Sequence, residues 1–123
     1  MLLNDLYTIQ SLAESESLIQ ATILLQAEHA IFKGHFPGQP VLPGVCMMEM
    51  ITEITGVYLQ QAFRIASAPL IKFLHMIDPG KNPLINVEIK YQSLDKNLIT
   101  YGKIYFREAV FMKFQLTLIP YPI

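Results

Sequence analysis

Eleven consecutive residues, Gly34 to Gly44 (GHFPGQPVLPG), hold three of the six glycines and three of the eight prolines in this 123-residue chain. Proline removes a backbone donor and fixes φ, so this segment is neither a helix nor a central strand; it reads as a structured loop. Its prolines, Pro37, Pro40 and Pro43, recur every third residue, which suits an extended path with little conformational entropy left to lose on folding. Such a loop can hold a side chain in a fixed place.

The loop separates two patterns. Before it, Leu6 to Leu12 and Leu18 to Gln26 alternate apolar positions with β-branched residues, and the polar stretch Ala13 to Ser17 (AESES) between them predicts a hairpin. After it, Gly44 to Phe63 is free of proline and nearly continuous in apolar residues, which predicts a long helix buried on most sides. Ser67 to Ile77, closed by the turn signal Asp78-Pro79-Gly80, then Leu84 to Leu94, Leu98 to Phe106 and Val110 to Ile119 predict four further strands, with a last hairpin at Arg107-Glu108. The expected order is ββ-loop-α-ββββ: an α+β fold in one domain over 1–123, a long helix laid against one antiparallel sheet.

The composition narrows the function classes. Hydrophobic residues make up 52% of the chain and charged ones 15%, with a net charge of -1. So little charge argues against a disordered tail, a nucleic-acid binder and a polybasic membrane patch. With no run of about 18 apolar residues a membrane span is not expected, and a buried subunit interface is the natural place for the apolar surplus. The N-terminus lacks a basic region followed by a long apolar core, so no signal peptide is read and a cytoplasmic protein is expected. The charges are lopsided: residues 1–63 hold one base and six acids, residues 64–123 eight bases and four acids. Solvated strand faces explain this, and so does a docking surface for an acidic partner.

Few residues carry chemistry. From Gly34 to Phe63 there is no Lys or Arg, so Glu49 and Glu53, one helical turn apart, have no local cation. Either they point to water, or burial raises their pKa and makes one a proton donor near neutrality. His35 sits between Gly34 and Phe36 in the stiff loop, where it is aimed either for structure or for catalysis. His29, His75 and the lone Cys46 match no zinc pattern, and no metal or cofactor is expected. At Gly44 the loop becomes the helix, and the free N–H groups of Gly44 and Val45 are either a tight helix start or a place to hold an oxyanion. Met47, Met48 and Met50 read equally as core filling and as a lining for an alkyl chain.

As a whole, GHFPGQPVLPGVCMME resembles the signature of the 3-hydroxyacyl-acyl-carrier-protein dehydratases of type II fatty-acid synthesis, which share the hot-dog fold. The match covers His-Phe-Pro-Gly, the next Pro, Pro-Gly-Val and a Glu fourteen residues after the His, and it continues in Phe32, Lys72-Phe73 and Pro79-Gly80. The resemblance implies a helix wrapped by a curved sheet and a homodimer, or an oligomer of dimers, in which each site takes His35 from one chain and Glu49 from the other. It also implies dehydration of a (3R)-hydroxyacyl thioester on acyl carrier protein to the trans-2-enoyl thioester. His35 would take the C2 proton, Gly44 and Val45 would hold the thioester oxygen, and Glu49 would assist loss of the hydroxyl. Phe36, Met48 and Glu53 are the candidates for the acyl pocket. Glu53 stands where many relatives have Gln, and Phe73-Leu74-His75-Met76 lacks their arginines; these departures point to a specialised pathway. An acyl thioesterase and a non-catalytic acyl-binding subunit on the same fold are the competing readings.

Overall fold

The structure, a computed structural model, describes residues 1–34 and 38–122. His35 and Phe36, on which two of the expectations fall, lie outside the described residues. Six strands form one antiparallel sheet: β1 (Tyr7–Ser15), β2 (Leu18–Leu25), β3 (Phe63–Phe73), β4 (Leu84–Leu94), β5 (Asn97–Phe106) and β6 (Ala109–Pro120), in the spatial order β1-β2-β4-β5-β6-β3. A four-residue turn of helix, α1 (Ile31–Gly34), precedes the loop, and α2 (Gly44–Leu59) follows it.

The period-two alternation read in the sequence turns one side of each strand toward α2. Ile19, Ala21 and Ile23 of β2, Ile85, Val87 and Ile89 of β4, and Met112, Phe114, Leu116 and Leu118 of β6 are buried on that side. From α2 come Met47, Met50, Ile51 and Ile54, at the spacing of one helical face. Burial of α2 goes further than one stripe, because every residue from Met50 to Thr55 is buried. The hydroxyls of Thr52 and Thr55 meet this by donating to the carbonyls of Met48 and Ile51.

Three boundaries differ from the sequence reading. The hairpin turn is only Glu16-Ser17, with φ of 52° and 65°, because β1 runs on through the polar residues to Ser15. Two left-handed residues give the twist that a two-residue hairpin needs. The helix expected through Phe63 stops at Leu59, after 16 residues or about 24 Å of rise. Gln60 turns left-handed, with φ 55°, and the N–H groups of Gln60 and Gln61 both reach the Gly56 carbonyl. Strand β3 therefore begins at Phe63, opposite Pro120, and ends at Phe73 instead of Ile77.

On the outer side of the sheet, Lys72, Lys113 and Lys103 stand directly opposite one another across β3, β6 and β5, with Glu88 of β4 next in the row. Like charges in such a row repel. Inside the sheet, β4 and β5 approach closely at Gly102, where an added Cβ would collide with the Glu88 carbonyl oxygen.

Candidate active site

Pro43 caps α2 in an extended conformation without a side-chain bond, as a residue with no N–H suits a helix start. Gly44 follows, and its Cα lies under the ring of Phe73: a Cβ there would stand 2.5 Å from the ring tip. Gly44 and Met47 line a groove of about 340 Å³ with Val41, Phe73, His75 and Met76. The loop is pinned at this point by the N–H of Leu42 donating to the Ile77 carbonyl, at 2.9 Å. Val45 is 72% exposed and Met48 is half-buried against the core.

Five residues along a helix turn it by about 140°, so Glu49 projects from a different side of α2 than Gly44. Glu49 is exposed in the single chain and lines a second cavity, of about 320 Å³, with Thr52, Glu53, Val57 and Phe63. Its partial burial, and then the neighbouring Glu53 carboxyl, raise its pKa above the ordinary carboxylate value. The same burial, with Glu49 nearby, pushes the Cys46 thiol up and leaves it a poor nucleophile.

Glu53 has a different setting. It is only 6% exposed. Its Oε2 accepts the Leu2 N–H at 2.8 Å, and its Oε1 accepts both the Leu3 N–H at 2.9 Å and the Tyr7 hydroxyl at 3.0 Å. Burial foremost, and then the Glu53 charge, drive the Tyr7 phenol far above its usual pKa and keep it a donor. Glu53 thus borders the Glu49 cavity, but its oxygens are already engaged.

Within one chain the expected site residues fall into two groups. Gly44 opens one groove, Glu49 and Glu53 line another, and Val45 stands in the open near the helix start. The sequence reading missed Phe73 and His75 as neighbours of Gly44; the signal available was that Lys72-Phe73 belongs to the same family resemblance as the loop. Among the described residues, no group of three or more His, Cys, Asp or Glu is arranged to hold a metal ion. No helix among them is long and apolar enough to cross a membrane.

Comparison with known proteins places this geometry. A family model described as ApeI-like, ApeI dehydratase, matches residues 10–113. The 3-hydroxyacyl-[acyl-carrier-protein] dehydratase FabZ of Fusobacterium nucleatum is 29% identical over 94 residues, covering 72% of this chain and 65% of that protein. The chain spans less than two-thirds of the length of the first curated relatives it matches. Among solved structures, the dehydratase heterocomplex ApeI:P from Xenorhabdus doucetiae superposes with a TM-score of 0.71 at 18% identity, over 90% of this chain and 96% of that one. A thioesterase from Haemophilus influenzae superposes with a TM-score of 0.62 at 17% identity, over 95% and 80%. These two structures share the fold, a helix against an open antiparallel sheet.

Proposed function

Because this chain belongs to the ApeI-like dehydratase family, we propose that it removes water from a 3-hydroxyacyl chain held as a thioester on a carrier protein. The observation that carries this reading is the setting of Glu49: a carboxyl on a largely apolar helix, open to a cavity and biased toward its protonated form by partial burial and by Glu53. A carboxyl kept protonated can donate to a leaving hydroxyl.

The roles divide as follows. His35, from the stiff loop, takes the proton at C2; neutral imidazole, with an ordinary pKa near 6.5, suits that work. The electron pair moves toward the thioester carbonyl, and the N–H groups of Gly44 and Val45 at the start of α2 meet the developing charge. The C3–O bond breaks as Glu49 gives its proton to the departing hydroxyl, leaving the trans-2-enoyl thioester and water. Gly44 and Glu49 lie on different sides of α2, so a complete site takes the His35 loop and Gly44 from one copy and Glu49 from a second. The groove of about 340 Å³ beside Phe73 and Met76, lined mostly by apolar side chains, is a candidate place for the acyl chain. The outer lysine row is the kind of surface that an acidic carrier meets.

The test is incubation of the purified protein with crotonyl and 3-hydroxybutyryl thioesters on carrier protein, followed by mass spectrometry. An 18-dalton change is expected, and it should fall at least about 10²-fold in both His35→Ala and Glu49→Gln, the low end for losing a general acid or base. Wild-type turnover in either folded variant would sink the residue assignment, and release of free thiol would replace the reading with thioester hydrolysis.

A further inference from the structure

The proposed mechanism uses Glu53 only as a charge beside Glu49, yet it is a buried carboxylate with a hydrogen-bonded setting of its own. We infer that Glu53 is a positioning residue for Glu49: caged by three donors, it locks the N-terminal segment onto α2 and holds a fixed negative charge one turn away, so that Glu49 is presented to substrate as a proton donor. This rests on the dehydratase reading for what Glu49 does, but the arrangement itself is read from the geometry.

Three observations meet here. First, three donors converge on Glu53, the N–H groups of Leu2 and Leu3 and the Tyr7 hydroxyl, and the Glu49 carboxyl lies within hydrogen-bond reach of it. An ionised carboxylate is an acceptor only, and the three donors match it. Second, the cage ties together parts of the chain about fifty residues apart. The segment before β1 is itself knotted by Leu6 N–H donating to the Leu2 carbonyl at 2.7 Å and Asn4 N–H to the Tyr7 carbonyl at 2.7 Å. Third, Glu49 and Glu53 border the same cavity, so the charge acts across a space that a substrate would fill.

The groups facing Glu49 are few. From α2 come Cys46 and Glu53, from β1 Tyr7, and from the N-terminal segment the α-amino group of Met1, which favours the ionised form and so works against Glu53. The residues following α2 that line this cavity, Gln60 to Phe63, carry no charge. The Glu53 carboxyl, one turn along the helix and within hydrogen-bond reach of Glu49, raises the Glu49 pKa further after burial.

The test is a carboxyl-carbon NMR titration of Glu49 in the full chain, with Glu53→Gln beside the wild type. The wild-type midpoint should lie above the ordinary value of about 4.3, and the variant's midpoint should fall toward it. At neutral pH that removes protonated Glu49 and lowers kcat about threefold per half unit, with KM nearly unchanged, while Glu49→Gln/Glu53→Gln is no slower than Glu49→Gln alone. An ordinary wild-type midpoint, or equal midpoints in the two proteins, would overturn the inference. If Glu53→Gln does not fold, an ordinary wild-type midpoint still overturns the inference. Tyr7→Phe, which keeps the charge, should lower thermal stability and leave the Glu49 midpoint in place; an equal shift there would mean that packing, not charge, sets it. If no thioester is dehydrated by the wild type, the titrations still stand, so failure of the functional reading is told apart from failure of this one.

Discussion

The two edges of the sheet are finished in different ways. At the β1 edge the chain closes on itself: Tyr7 and Leu6 are fully buried, and Glu53 gathers the preceding residues onto the helix. At the β3 edge the register slips twice, between Ile65 and Ser67 and between Ser67 and Leu70, and Leu70 and Phe73 remain 50% and 53% exposed. The start of the β1 edge is tied down by the chain's own N-terminal segment, through the Leu3–Tyr7 bridge. The other edge offers apolar surface and an unpaired edge beside the open helix side that bears Val45, Glu49 and Val57, which is where a second copy would complete the proposed site.

The contrast can be broken most severely from the interior that both edges share. In Gly102→Ala the new Cβ would meet the Glu88 backbone oxygen, which cannot rotate away, so a loss of about 3 kcal/mol or more is expected in urea unfolding. A stable, fully folded variant would mean that β4 and β5 can part without cost. At the open side, Val57→Arg should shift sedimentation from two copies to one while the far-ultraviolet circular dichroism of the chain is kept. An unchanged mass would put the second copy elsewhere. The smallest effect belongs to the closed edge: Tyr7→Phe deletes one of three donors to Glu53 and should cost about 1 kcal/mol, read as a lower denaturant midpoint. No change would show that the two backbone donors suffice.

Much of this architecture was legible before any coordinates. The strands β4, β5 and β6 announce themselves because Val87, Ile89 and their like alternate with charged residues, and the helix begins at Gly44 as the loop's prolines require. The end of α2 was not legible. Val57 to Phe63 carries none of the usual stop signals after Gly56, and what halts the helix is distant: Phe63 pairs with Pro120, and the Ala62 carbonyl accepts from Tyr121. Tertiary pairing overrode local propensity there. At the candidate site, the residue pattern picked out Glu49 and Glu53 only as a pair without a local cation, and it was the family resemblance that gave Glu49 the catalytic role and Glu53 a place in the acyl pocket. Their difference depends on Leu2, Leu3 and Tyr7, roughly fifty residues away, and no local pattern encodes that contact.

The strand order also sets a timetable for synthesis. Strand β3 is made directly after the helix, yet among the described residues its partner in the sheet is β6, made three strands later. At about 5–20 residues per second the ribosome leaves β3 without its neighbour for several seconds, with Phe63, Ile65, Leu70 and Ile71 unsheltered. Pro69 and the two register slips make that waiting strand a poor template for other chains. The irregularities that leave this edge unfinished in the single folded chain thus also guard the nascent chain until its C-terminal strand arrives.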